Sequence, residues 1–390
     1  MQSVAYAHKD NKVIYICLIL KVNRFVRVVF CKFVENLNDN FMDIKIHQVE
    51  TSKIASVDFN NLSFGQVFTD HMLVCSYTNG GWKSPEIIPY GPMTFEPSAR
   101  VFHYGQAVFE GMKAFKDDDG AIFLFRPDES IKRLNASSER LAIPPLPEDI
   151  FHEGLKTILR LDAEWIKKGF GNSLYIRPFV IASEPAISAS PSNDYKFIII
   201  CSPAQSYYAG EVRVIVADKF SRAANGGVGY AKAAGNYASQ FYPTSLAHQE
   251  GYQQIIWTDA DTHEYMEEAG TMNIFFRIGD TLITAPTNDR ILDGITRKSI
   301  IQLAKDNHVA MEVRDIKVSE IKEAAQKGEL KEIFGSGTAA VVNPIKGFKH
   351  KDFTYELPEL ASTYASFFKE KLMNIQYNKS EDIHGWRVKV

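Results

Sequence analysis

The sequence has little cysteine, and none of its four (Cys17, Cys31, Cys75, Cys201) stands in a CxxC or beside histidine at ligand spacing. That pattern argues against a disulfide framework or a metal site and points to a reducing, cytoplasmic setting. Basic charge is not in excess either. A net charge of -3 over 390 residues gives no field for nucleic acid, so a small-molecule substrate fits better. The apolar run at residues 13–20 is too short to span a bilayer. It is crowded by Lys21, Arg24, Arg27 and Lys32 and has no small-residue cleavage site after it; no membrane role is expected. Two phosphate-binding patterns are missing as well. No P-loop spacing ends in Gly-Lys-Ser/Thr, and Gly227-Val228-Gly229 lacks the third glycine of a dinucleotide fingerprint.

What is present suits a mixed α/β (α+β) chain of two domains. The length exceeds what one core usually serves, and 45% apolar residues with 12% aromatics supply two. Met42 opens a more ordinary start than Met1, so residues 1–41 are expected to be an extension outside the folded body. Short strand patterns with an Asn79-Gly80-Gly81 hairpin signal follow, and the segment around Tyr104 reads as strand or turn. Helices are expected at 131–141, 151–168, 236–248, 319–327 and 360–375, and one opens at Gly294-Ile295-Thr296. Strands are expected at 175–181, 196–201, 212–216, 253–257 and 273–276. Pro203, two tyrosines and Gly210 interrupt the pattern between strands. The expected division is therefore a smaller domain at 42–206, a linker at 207–212 and a larger domain at 213–390.

Three glycine-bearing stretches carry the chemistry. In Gly226-Gly227-Val228-Gly229-Tyr230-Ala231-Lys232-Ala233-Ala234-Gly235-Asn236-Tyr237 a single cation is framed by glycines, alanines and tyrosines. Glycines allow close backbone approach, and a lysine kept from water becomes a nucleophile toward carbonyls. An ordinary solvated lysine in a surface loop is the alternative reading. The second stretch, Gly294-Ile295-Thr296, opens a helix whose free N–H groups suit an anion, although capping alone would explain Thr296. The third, Gly335-Ser336-Gly337-Thr338-Ala339, adds a hydroxyl. Beside them, Glu267 and Glu268 precede an apolar strand, where burial of a carboxylate would demand a cationic partner; either could instead be a solvated turn residue. A dehydrated lysine, a carboxylate for a ring nitrogen and a phosphate cradle together describe pyridoxal 5'-phosphate.

The motifs FGQVFTDHML, FEGMKAF, LFRPDESIKRL, YIRP, GGVGYAKAAGNYA, EEAGTMNIFF, LDGITRKSI and FGSGTA, in this order from residue 58 to the C-terminus, resemble those of branched-chain amino-acid aminotransferases of pyridoxal-phosphate fold type IV. The resemblance implies that Lys232 is the Schiff-base lysine, that Tyr237 bonds the cofactor's phenolic oxygen, and that Glu268 rather than Glu267 holds the pyridine nitrogen. It implies phosphate contacts from Arg133, Ile295, Thr296 and Thr338. A substrate pocket is implied from Phe64, Tyr104, Phe109, Tyr175, Arg177, Tyr207, Thr338 and Ala339. The implied reaction moves the amino group of leucine, isoleucine or valine to 2-oxoglutarate, with no metal, in a homodimer. One departure stands out: animal relatives carry a CxxC just after this last turn, whereas Ala340 and Asn343 stand here, so thiol switching through that pair is expected to be absent.

Overall fold

The computed structural model describes residues 43–205 and 212–390, and the backbone of three strands before them. Those strands, Ala5–Asp10, Val13–Val22 and Phe25–Phe33, form an antiparallel meander in a compact unit of their own, residues 1–43. The apolar run at 13–20 falls inside its middle strand. Among the described residues no helix is long and apolar enough to cross a membrane.

The second unit, residues 44–390, holds two sheets. The first runs, in spatial order, Arg387–Lys389, Ile122–Phe125, Met112–Lys116, Ser173–Ala182, Tyr195–Ala204, His71–Thr78, Glu86–Pro89 and Lys45–Ile46. Its hairpin at Asn79-Gly80 is the expected one: both residues have positive φ (52° and 73°), and Tyr77 pairs with Trp82 across it, as a two-residue turn between twisted strands requires. Helix Glu148–Leu161 covers the sheet, burying Phe151, Leu155, Ile158 and Leu159 completely. At Gly154 a Cβ would come within 2.6 Å of Leu73, so glycine lets helix and sheet touch.

The second sheet closes on itself. Its strands run Met266–Ala269, Gln254–Thr258, Val212–Val216, Val341–His350, Leu330–Gly337 and Met272–Ile278, and the last pairs back to the first. Closure leaves no open edge in this ring. Along Met272–Ile278 the side chains alternate as a strand's must: Ile274 and Phe276 join the cluster containing Val214, Ile256 and Ile321, while Phe275 joins Leu303, Phe334 and Phe368. Helices Ile295–Asp306 and Tyr364–Gln376 cover that second side.

Several elements differ from expectation. Tyr104 ends a short helix, Arg100–Tyr104, rather than lying in a strand or turn. The helix expected at 236–248 is two, Ala234–Ala238 and Phe241–Gln249. The helix expected at 151–168 begins at Glu148 and stops at Leu161, giving way to a 3-10 turn, Ala163–Trp165.

Candidate active site

The face where the two sheets meet is joined at Lys232. The Phe109 N–H donates to the Lys232 carbonyl (3.1 Å), and the Lys232 N–H donates to Ser137 Oγ (2.9 Å) on helix Pro127–Arg140. The lysine's backbone is thus pinned to the first sheet and its helix, although the residue belongs to the loop before Ala234–Ala238. Glycine is required in that loop: a Cβ at Gly229 would lie 2.7 Å from the Arg290 backbone.

The side chain of Lys232 is held as firmly. Its Nζ donates to the Tyr237 hydroxyl (2.6 Å) and lies 4.8 Å from the centre of the Phe109 ring. Phe109 and Tyr237 touch each other, ring centres 4.7 Å apart. The amine therefore projects from an aromatic cleft, and the cleft opens into a cavity of about 660 Å3, within the usual range for small-ligand sites.

Glu268 stands in that cavity wall, 4% exposed, on Met266–Ala269. Oε1 accepts from the Leu292 N–H (2.7 Å) and from Asn273 Nδ2 (3.0 Å), while Oε2 lies 3.1 Å from Arg222. Burial pushes its carboxyl above the usual range, and Arg222 and the Leu292 N–H pull the other way. Strand alternation sends Glu267 elsewhere, to an ion pair with Arg290. Only Glu268 of the two lines the cavity.

An anion cradle faces them. Helix Ile295–Asp306 starts at Gly294 with no side-chain cap, so its first N–H groups are left for a ligand. Gly294 cannot be larger, since a Cβ there would meet Asn273 Oδ1 at 1.9 Å. Arg133 gives two parallel bonds to the fully buried Glu110, Nε to Oε1 (2.7 Å) and Nη2 to Oε2 (2.8 Å), and its Nη1 donates to the Asp293 carbonyl (3.1 Å). Burial opposes Arg133's charge, and Glu110, Tyr237 and Asp293 together outweigh it. Thr338 lines the same cavity from the turn after Leu330–Gly337.

The opposite wall is aromatic and cationic. Phe64 meets Tyr175 edge-on, ring centres 4.9 Å apart, and Arg177 donates to the Tyr175 hydroxyl (3.0 Å) while lying over the Phe109 ring. Ala339 and Ala340 close the rim.

The cavity therefore gathers Phe64, Phe109, Arg133, Tyr175, Arg177, Lys232, Tyr237, Glu268, Ile295, Thr296, Thr338 and Ala339. Tyr104 is not among its lining residues: it is 45% exposed, and its hydroxyl donates to the Ile187 carbonyl. Tyr207 lies outside the described residues. Sequence reasoning missed Arg222 and Glu110, whose partners Glu268 and Arg133 are 46 and 23 residues away, and Asn273, which is only five residues from Glu268 but meets it across the Met266–Ala269 and Met272–Ile278 hairpin. Among the described residues no cluster of three metal-ligating side chains occurs.

A family model, amino-transferase class IV, matches residues 107–348. The chain belongs to the class IV aminotransferases. Class IV aminotransferases are pyridoxal-phosphate enzymes, and the matched segment contains the Lys232 loop, Glu268 and the helix at Ile295. The chain is 48% identical over 293 residues to branched-chain-amino-acid transaminase 1 of Bacillus subtilis (strain 168), covering 74% of this chain and 82% of that protein. It shares the fold of a branched-chain aminotransferase from Thermoproteus uzoniensis solved with norvaline (TM-score 0.68, 24% identity, 82% of this chain and 99% of that one). It also shares the fold of one from Thermobaculum terrenum in its PLP form (TM-score 0.65, 18% identity, 81% and 97%).

The residues of this class IV site fit the cofactor. Buried polar atoms that find no protein partner, Arg222 Nε, Arg177 Nε and Ser336 Oγ, belong to side chains lining the cavity; such atoms are costly unless a ligand or water meets them.

Proposed function

We propose that this chain transfers the amino group of L-leucine, L-isoleucine or L-valine to 2-oxoglutarate, giving the branched-chain 2-oxo acid and L-glutamate in two half-reactions, with pyridoxal 5'-phosphate as cofactor. The observation that carries the reading is the placement of Lys232 Nζ against the Tyr237 hydroxyl, in one cavity with the Glu268 carboxylate and the uncapped helix start at Ile295.

Arg133, Thr338 and the N–H groups of Ile295 and Thr296 would hold the phosphate, Tyr237 the phenolic oxygen and Glu268 the ring nitrogen. When bound, the cofactor supplies an electron sink for the carbanion formed at the substrate α-carbon. The Lys232 amine would take the proton from that carbon as a general base and, as a general acid, deliver it on the cofactor's side of the bond rather than back to the same carbon. Tyr237 orients the Lys232 amine, and Phe109 limits water around it. Glu268, held by Leu292, Asn273 and Arg222, keeps the ring nitrogen protonated. Phe64, Phe109 and Tyr175 favour a branched aliphatic side chain, because each buried methylene contributes about 0.8 kcal/mol. The Tyr175 hydroxyl and Arg177 offer donors for a carboxylate, which suits 2-oxoglutarate.

We infer further that residues 1–41 lie outside the catalytic body and that 42–206 and 213–390 act as two domains about a linker at 207–212; apart from Arg387–Lys389, which joins the first sheet, the strands of the two sheets divide at this boundary, which supports the reading. Tyr207 is proposed to act at the rim of the pocket, in a cytoplasmic homodimer.

The test is to mix the cofactor-loaded protein with L-leucine and 2-oxoglutarate and follow 4-methyl-2-oxopentanoate and glutamate. Equal formation of both is expected. Turnover of D-amino acids alone, or product formation without 2-oxoglutarate as a lyase would give, overturns the reading.

A further inference from the structure

Lys113 has no part in the chemistry above, yet it is among the most deeply placed lysines of the fold, 8% exposed on strand Met112–Lys116. Burying an ammonium is costly unless it is paired. Its Nζ donates to the Ala339 carbonyl (2.9 Å), 226 residues away on the other sheet's turn. It also lines a small cavity of about 20 Å3 behind the phosphate cradle, next to Ser130 and Gln376.

Two facts make this contact more than a tether. Lys113 stands directly across from Tyr175 in the antiparallel pairing, so both side chains leave the same face of the first sheet. Tyr175 is one wall of the substrate cavity, and the turn at 338–340 is another. Moreover, the peptide after Ala339 is trans, so its N–H points opposite to the carbonyl that Lys113 holds. Pulling that carbonyl toward Lys113 turns the Ala340 N–H away from it.

We propose that Lys113 is a positioning residue that fixes the turn at 338–340 relative to Tyr175 and thereby sets the affinity of the cavity for carboxylate-bearing substrates. The proposal rests on the aminotransferase reading for the identity of those substrates. Burial pushes Lys113 down to about 8, as expected of an ammonium whose main partner is a neutral carbonyl.

The test compares cofactor-loaded wild type with Lys113→Met, which keeps the bulk and loses the donor, and Lys113→Arg, which keeps donor and charge. Binding of 4-methylpentanoate, a branched carboxylate with no amino group, is measured by calorimetry, alongside KM and kcat for leucine. Loss of one charged hydrogen bond predicts a Kd and KM about tenfold higher for Lys113→Met, with kcat within about threefold of wild type and recovery in Lys113→Arg. If Lys113→Met does not fold, Lys113→Gln carries the same expectation. A folded variant that binds 4-methylpentanoate as tightly as wild type overturns the proposal, as does a fall in kcat and melting temperature with Kd unchanged. Absence of leucine turnover in wild type would instead sink the aminotransferase reading, while carboxylate binding would still report on Lys113.

Discussion

Arg222 lies 3.1 Å from Glu268, and both side chains are 5% exposed. The guanidinium also donates to the carbonyls of Gly229 and Arg290. It therefore joins the Lys232 loop, the segment before the Ile295 helix and the carboxylate in one network. Neither charge would be stable in this setting alone.

Arg222→Met should destabilise the cofactor-free protein by about 3 to 5 kcal/mol, because Glu268 would be left buried without its cation; urea unfolding measures this. Burial already raises Glu268, and Arg222 is the main charge lowering it. Removing Arg222 raises it further, so less of it is ionised at a given pH. The acid limb of the kcat/KM profile should accordingly move to higher pH. Pairing the change with Glu268→Gln should recover part of the lost stability, since the double variant has no orphaned charge.

Lys232→Ala should abolish leucine turnover and the visible absorption of the cofactor-linked protein together. The melting temperature of the cofactor-free protein should change little, because among the described residues the lost Nζ makes a single hydrogen bond, to Tyr237. Retention of both turnover and absorption would disprove the assignment of Lys232.

Arg133→Lys keeps the charge but cannot reproduce the two parallel bonds to Glu110 or the third to Asp293. The expected result is a cofactor Kd about tenfold weaker or more, read by fluorescence titration. The unperturbed substrate wall of Phe64 and Tyr175 should leave the KM for leucine near wild type once cofactor is saturating.

Thiol oxidation should leave activity intact. Cys75 is buried and pushed up to about 11, and burial pushes Cys201 well above its ordinary range; neither offers a thiolate near neutral pH. Treatment with mild peroxide followed by dithiol should give the same rate as untreated protein. A reversible loss would point to another cysteine, identifiable by mass labelling.

The sequence made the catalytic core legible because its parts are local. Lys232 and Tyr237 are five residues apart, and Gly294 and Ile295 mark a helix start by type alone. The choice of Glu268 over Glu267 came from the family resemblance and not from residue type; the fold adds its reason, since both lie in Met266–Ala269 and alternation turns only Glu268 to the cavity. Arg222 and Glu110 were not legible, for each matters through a partner fixed by tertiary packing, and Asn273 was not because its residue type does not reveal that the hairpin sets it opposite Glu268. The short helix ending at Tyr104 and the break between Ala238 and Phe241 were missed for a related reason: segments of five residues show too little periodicity to be told from turns.

Closure of the second sheet has a consequence for how the chain is made. Val212–Val216 lies between Gln254–Thr258 and Val341–His350, parallel to both, so its second neighbour emerges from the ribosome more than a hundred residues after it. In the first sheet His71–Thr78 likewise waits for Tyr195–Ala204, but the ring that frames Glu268 cannot close until Val341–His350 has been made. Such long-range pairing is slow. Assembly of the reactive half is therefore the late event of synthesis, and the interval before it is when an exposed Val212–Val216 strand is open to wrong partners.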